Sequence, residues 1–371
     1  MAEKFLLKNI FDKKMLMYIA GNIHRVHPAF DCDLFVSKTL EDFDRLGLQE
    51  RAQRISDMLF VFLPQGYLEA IDILEASLGP VIEEEELEGY SCFYVMPLGV
   101  YVSDYGLEYF DRSMLALKEM TKRFSSEWPI RSFIEHDEQR ALAYLFSWTE
   151  DKNCHVRRLV SEGTRPRLPW GKRLKKYIAD PMPVLNLLKK LKNEPTRLVQ
   201  RSIANNLNDI AKDHPLAVVE FLQVWRRENV NDIGWIISHS CRSLIKAGDV
   251  NALALMGYKT DIQINNLSLE LLHTEVTLGG NLEFSLSFDL KETNDLVIDY
   301  LLYFKKANGE LKAKVFKLSN KAFDGQTKIA IVKKHPLKKI TTRRYYEGVQ
   351  ALQLQINGKL YGEKKEFYLK V

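Results

Sequence analysis

The sequence predicts two architectures in series, an α-helical part followed by an all-β part, on three observations. Apolar residues recur with helical spacing up to about residue 260 and with strict alternation beyond residue 265. Segments within the helical part repeat at intervals of roughly 40 residues. Asn357-Gly358 stands between two alternating runs, a pair that favours a tight hairpin turn. A length of 371 residues has room for two or three domains, and 46% hydrophobic residues are enough to build their cores.

The elements follow in order. Leu48, Ala52, Ile55 and Leu59 mark one helical face, and Leu68, Ile71, Leu74 and Leu78 the next. An irregular stretch, SCFYVMPLGVYVSDYGLEYF, precedes a helix over Met114 to Phe124. Ser125, Ser126 and Asp137 are expected to cap the helices that follow them, because their side-chain oxygens can accept from free amide donors. HVRRLVSEGT (155–164) aligns with LVQRSIANNL (198–207) at an offset of 43, so that Val156, Arg158, Val160 and Thr164 meet Val199, Arg201, Ile203 and Leu207. A third unit, VNDIGWIISHSCRSLIKAGD, follows, and an amphipathic helix precedes each of the three. Paired helices at this period are the pattern of HEAT-like repeats, which stack into a solenoid with a concave face.

Beyond residue 265, SLELLHTEVT, NLEFSLSFDL, LVIDYLLYFK, KVFKL, TKIAIV, VQALQLQI and KEFYLKV read as seven strands. That number in about 105 residues fits an immunoglobulin-like sandwich. The segment contains neither cysteine nor tryptophan, so an antibody-type disulfide core is excluded. The expected domains are 1–262, a HEAT-like helical domain, and 263–371, the sandwich.

Several function classes lose support. There is no G-x-x-x-x-G-K-[ST] and no G-x-G-x-x-G entering a helix, which removes the usual nucleotide-phosphate cradles. The four cysteines are widely spaced, and His24 and His27 lack a nearby third ligand, so neither a metal nor another cofactor is expected. The net charge of +4 conceals two basic blocks. Lys152 to Arg201 holds 14 basic residues against three acids, and Lys305 to Arg344 holds 13 against two. The counterweight lies in Glu83 to Glu86 and Glu88. Two such blocks suit a polyanion touching two surfaces.

Chemistry-bearing residues cluster in the first block. Val156, Leu159 and Val160 form an apolar stripe, which leaves Arg158, Glu162 and Arg165 on another face of the same helix. As an ion-pair ladder they would contribute about 0.2–0.5 kcal/mol per pair. The equivalent face of the next repeat carries Arg201, Asn205 and, one turn further, Asp209, so parallel stacking would bring Glu162 and Asp209 towards one groove. Glu127, in FSSEWPIRSF, could supply a third acid or simply complement a helix N-terminus. In EGTRPRLPWGKRLKK, Trp170 is either a core plug or an aromatic surface for a ligand. Arg165, Arg167, Lys172, Arg173, Lys175 and Lys176, with Arg201 in the next repeat, are candidate phosphate contacts.

The run CHVRRLVSEGTRPRLPWGKRL, the upstream FSSEWPIRSFI, the downstream SIANNLNDIAKDHP and the opening LLKNIFDKKMLMYIAGNIHRVHPAFD resemble the DNA-alkylation-repair family. The likeness is to its AlkC branch of HEAT-like-repeat 3-methyladenine DNA glycosylases, related to AlkD, some of which carry a C-terminal immunoglobulin-like domain. The resemblance implies excision of cationic N-alkylated bases, N3-methyladenine and N3-methylcytosine, from double-stranded DNA by a monofunctional enzyme that bends the duplex and has no deep base pocket. It assigns the catalytic acids to Glu162, Glu127 and Asp209, and lesion or sugar contact to Trp170. Arg158 joins Trp170 at the substrate, and Arg165 and Arg167 hold phosphates. It leads us to expect a monomer in the cytoplasm, nucleoid-associated when bound to DNA. The competing expectation is a non-catalytic HEAT-repeat protein that binds damaged or bent DNA.

Overall fold

In the computed structural model, the described residues are 6–82, 90–340 and 343–371. The acidic run Glu83 to Glu88 lies outside them. Among the described residues, sixteen α-helices run from Lys13–Val26 to Val250–Leu255 and eight β-strands occupy the rest. The chain folds as two compact units, residues 1–213 with 228–232, and residues 214–227 with 233–371.

The first unit is helical, and side-chain caps mark four of its helix starts. Asp12, Asp31 and Asn153 accept from amides of the first turn, as does Asp137 at the head of Glu138–Trp148. The expectation for Ser125 and Ser126 is overturned, because the next helix, Ile130–His136, begins four residues later with Pro129 at its cap position. The Ser126 hydroxyl donates to the Leu117 carbonyl, and that of Ser125 serves the site described below.

Two helix pairs match the predicted repeat. Glu138–Trp148 precedes Cys154–Gly163, and Met182–Lys190 precedes Arg197–Ile210. The second helices of these pairs pack on each other through Val156, Leu159 and Val160 from one and Val199, Ile203 and Leu207 from the other, all buried. Their contact also carries polar ties, the Asn206 amide donating to the Ser161 carbonyl at 2.7 Å and to the Thr164 hydroxyl at 3.2 Å. Arg157 grips the buried Glu194 through two 2.7 Å hydrogen bonds, a geometry only a guanidinium fork supplies.

The second unit holds the sandwich. Its strands are β1 Ile264–Leu271, β2 Glu275–Thr277, β3 Asn281–Leu290, β4 Asn294–Lys305, β5 Leu311–Phe323, β6 Thr327–Pro336, β7 Gly348–Ile356 and β8 Lys359–Lys370. The first expected strand is two, divided between the sheets, since β1 joins the β1-β3-β6 sheet and β2 the β2-β8-β7-β4-β5 sheet. The inward residues Phe284, Leu286, Phe288, Ile298, Tyr300, Leu302 and Leu354 fill the space between them. The hairpin turn occurs as expected, with Asn357 at φ 43° and Gly358 at φ 82°. Its asparagine is also an anchor, accepting from the Val297 amide at 2.7 Å and donating to the Lys259 carbonyl at 2.7 Å. A side chain at Gly358 would come within 2.1 Å of the Gly248 carbonyl oxygen, which ends the helix Arg242–Ala247.

Asp299 is buried on β4 opposite Lys317. Burial raises its carboxyl to about 6 from an ordinary 3.8, more than the lysine's opposing pull lowers it. Between pH 4 and 6 the folded state therefore holds a proton that the unfolded state has lost, and stability falls as pH rises through that window. Asp299→Asn is expected to raise the melting temperature at pH 8, with the gain shrinking towards pH 4. Thermal melts of both proteins at the two pH values check this, and an equal gain at both would contradict it.

Candidate active site

A cleft of about 490 Å³ opens between the segment 121–128 and the helices Cys154–Gly163 and Arg197–Ile210. Its walls include Glu127, Trp128, His155, Arg158, Arg197 and Arg201. Four arginines, Arg123 from that segment and Arg158, Arg197 and Arg201 from the two helices, make it electropositive, and Glu127 places one carboxylate among them. Arg158 Nη2 lies 3.0 Å from Glu127 Oε2, and the same guanidinium donates through Nη1 to the Ser125 hydroxyl at 3.0 Å. The Ser125 hydroxyl donates in turn to Glu127 at 2.9 Å. Glu127 is thus held by two partners while it still faces the cleft.

Behind Arg158 lies a buried charge network. Glu162 is 5% exposed, Asp209 2% and Arg165 7%. Arg165 Nη1 donates to Glu162 Oε1 at 2.6 Å, and its Nε donates to Asp209 Oδ2 at 2.9 Å. Ser202 supplies a further 2.6 Å hydrogen bond to Glu162, Lys212 pairs with Asp209 at 2.8 Å, and Arg158 stands 3.8 Å from Glu162. Burial pulls the Arg165 guanidinium down, but Glu162 and Asp209 together outweigh it and hold it above its ordinary range.

The structure brings together the three carboxylates singled out in the sequence, but on different levels. Glu127 lines the cleft, whereas Glu162 and Asp209 sit beneath it. Arg165, expected at a phosphate, is corrected by its burial: both its charge and its donors are directed at the two carboxylates. Arg167 is half-buried and forked onto Asp213, with Nε to Oδ2 at 3.1 Å and Nη2 to Oδ1 at 2.9 Å. Lys172, Arg173, Lys175 and Lys176 are exposed, the last paired with Glu138 at 3.1 Å, and Arg201 is exposed at the cleft.

Trp170 is no core plug, since it is 65% exposed. Its φ of 60° is unusual for a bulky residue and stores strain of about 1–3 kcal/mol. The loop beneath it is organised by Arg131, which is 1% exposed. Arg131 donates to the carbonyls of Gly163 at 2.8 Å, Arg165 at 2.9 Å and Lys172 at 2.7 Å. Burial lowers its guanidinium to about 10, more than the opposing pull of Glu135 and Glu127 raises it. Periodicity does not reveal Arg131, whose partners lie more than 30 residues away. Arg197, one helical turn before Arg201, and Trp128, beside Glu127, were within reach of the same spacing argument.

Residues 124–240 match the family described as DNA alkylation repair enzyme, and residues 265–371 match that described as Uncharacterised protein YhaZ, C-terminal Ig-like domain. The class is therefore that of helical-repeat DNA alkylation repair proteins with an appended sandwich. The chain is 35% identical over 357 residues to YhaZ of Bacillus subtilis (strain 168), covering 95% of this chain and 97% of YhaZ. It is also similar to the alkylpurine DNA glycosylase AlkC of Pseudomonas fluorescens, solved bound to DNA containing an abasic site analog, at 36% identity and a TM-score of 0.83. That match covers 99% of this chain and all of the other. The chain belongs to the DNA alkylation repair glycosylase family, in its AlkC-like branch.

Removing Arg165 should show how far the network depends on it. Arg165→Ala leaves Glu162 and Asp209 buried without their shared cation, and the expected loss of stability is about 3–5 kcal/mol. Denaturant unfolding measures it, and a loss below about 1 kcal/mol, the scale of an exposed pair, would contradict it.

Proposed function

We propose that the protein hydrolyses the N-glycosidic bond of cationic N-alkylated bases in duplex DNA, N3-methyladenine and N3-methylcytosine being the substrate type. The observation that carries this reading is a carboxylate, Glu127, held in a cleft lined by arginines. A protein that only binds phosphate gains nothing from an acid there, whereas a reaction that develops positive charge on the sugar does.

The chemistry needs little from the protein. An alkylated base that already carries positive charge leaves with the electron pair of its bond and becomes neutral, so no general acid is required. Cleavage gives the deoxyribose oxocarbenium character, and a fixed carboxylate favours that state over the ground state. Water then supplies the oxygen at C1′, with a carboxylate orienting it and accepting its proton. Glu127 is placed for this role at the surface of the cleft. Beneath it, Glu162 stands 3.8 Å from Arg158 and with Asp209 holds Arg165 in the interior. Trp170 would offer an aromatic face to the lesion or its sugar, and Arg158 and Arg201, in the cleft wall, would meet the backbone phosphates. No lysine is invoked as a nucleophile, and the activity is monofunctional. The sandwich adds a second basic surface, on which Lys321 and Lys328 line a concavity between β5 and β6.

Release of free base from methylated duplex DNA tests the reading. Glu127→Gln is expected to slow single-turnover release by about 10²-fold, on the scale of losing one electrostatic group from a transition-state site, while duplex affinity is kept or tightened. Glu162→Gln should slow it by at least about tenfold. Salt-dependent duplex binding without any release by the wild type would leave a damage-binding protein and sink the catalytic reading.

The sandwich surface has its own expectation. Replacing Lys321 and Lys328 together by glutamine should weaken binding to all duplexes alike and flatten the logarithmic salt dependence by about one unit per lysine. An unchanged slope would remove β5 and β6 from the DNA contact.

A further inference from the structure

The loop carrying Trp170 is held by side chains from outside itself, and none of these holds is shown to touch the indole. We propose that Gln49, on the helix Leu48–Phe62, acts with Trp128 and Arg131 as a positioning residue that fixes Trp170 for its contact with DNA. The catalytic consequence rests on the glycosylase reading above, whereas the geometry does not.

The backbone at Trp170 is left-handed, a conformation that a bulky side chain rarely adopts and that lasts only where the surroundings enforce it. They do so on both flanking peptides. The Gln49 side-chain amide donates to the Trp170 carbonyl at 3.0 Å, across 121 positions of sequence. The Trp128 indole donates to the Pro169 carbonyl at 3.3 Å, and Arg131 closes the loop at Lys172. Within the loop, the Gly171 amide donates to the Leu168 carbonyl and the Leu174 amide to the Pro166 carbonyl, each at 3.2 Å. A side chain at Gly171 would approach Leu168 to 3.1 Å and Trp128 to 3.2 Å, so this turn is also closely packed.

Three side chains thus converge on a short stretch of backbone whose tryptophan remains largely in solvent. An exposed indole contributes little to a core, so core stability does not explain holding it at the cost of strain. Orientation does. Gln49 and Trp170 share the wall of a second pocket, of about 250 Å³, which meets the cleft at Phe124, Ser125 and Trp128. A group bound at the cleft therefore meets a Trp170 whose backbone, and with it the direction in which the side chain leaves the loop, is set by these hydrogen bonds. Gln49 is exposed, and unlike Arg131 it can be altered without opening a buried cavity.

The test is a double-mutant cycle on the full chain with Gln49→Leu, Trp170→Ala and the double variant. Two quantities are measured, single-turnover base release from methylated duplex and affinity for a duplex carrying an abasic-site analogue. Gln49→Leu is expected to slow release by about five- to tenfold and to weaken abasic-duplex binding, with undamaged-duplex affinity within about twofold. In the Trp170→Ala background it should change neither quantity further. Arg131→Lys, which keeps the charge but loses the fork, should act in the same direction. Equal losses with and without Trp170 would mean that Gln49 touches DNA itself, and no loss in either measurement would mean that the clamp has no functional role. Each result overturns the proposal. If the wild type releases no base, the catalytic reading fails while the abasic-duplex measurement still decides the clamp.

Discussion

The Arg165 guanidinium joins the ends of two helical repeats that each bury a carboxylate, and the cost of burying those charges makes the arginine decisive for how the helices pack. Desolvating Glu162 or Asp209 alone would be far more expensive than the few tenths of a kcal/mol expected of a surface ladder. With Arg165 between them, and Ser202 and Lys212 at their remaining oxygens, the pair becomes a fixed part of the interior. The apolar contact between Cys154–Gly163 and Arg197–Ile210 brings the helices together, and the charged contact sets their alignment.

That alignment sorts the charges by depth. Glu162 and Asp209 are spent below the surface, leaving Arg158, Arg197 and Arg201 to line the cleft with Glu127. The result is a surface attractive to a polyanion that retains negative potential at one point. A uniformly basic groove would hold a duplex as well but would oppose the formation of a cation on the sugar. In the proposed reaction the two demands would be met by separating them in space, with arginines along the walls and one carboxylate held between an arginine and a serine.

How much of this was legible follows from the range of each interaction. Alternation exposes the strands and Asn357-Gly358 the hairpin, because a strand's faces and a tight turn are decided by neighbours a few residues apart. The division of the first strand between two sheets is a tertiary choice, and alternation is blind to it. Helical spacing places Arg158, Glu162 and Arg165 together, and the repeat offset of 43 brings Arg201 and Asn205 to the equivalent face, with Asp209 one turn further on. Spacing does not reveal depth, so Arg165 reads as a phosphate contact when it is a buried counter-ion. Ser125 and Ser126 look like caps because they precede a helix, yet Pro129 takes the capping position and frees Ser125 for Glu127. Arg131 and Gln49 act on backbone carbonyls, which every residue has, so no pattern of side chains foretells their partners.

These elements share a physical logic that suits the proposed reaction, which needs no pocket enclosing the base. Closing around a base normally supplies fixed geometry and excludes water, and an open cleft must obtain rigidity in another way. Here Glu127 is held by Arg158 and Ser125, Glu162 and Asp209 by Arg165, and the strained Trp170 backbone by hydrogen bonds from side chains distant in sequence. Such groups need little reorganisation when charge develops, which is the condition under which electrostatic stabilisation is most effective. A cationic base needs no proton to depart, so the enclosed apparatus of general-acid catalysis can be dispensed with. An uncharged base would meet the same cleft without that advantage. In the proposed reaction, selectivity therefore arises from the chemistry of the leaving group combined with a rigid anionic point, and it does not require a cavity shaped to the base.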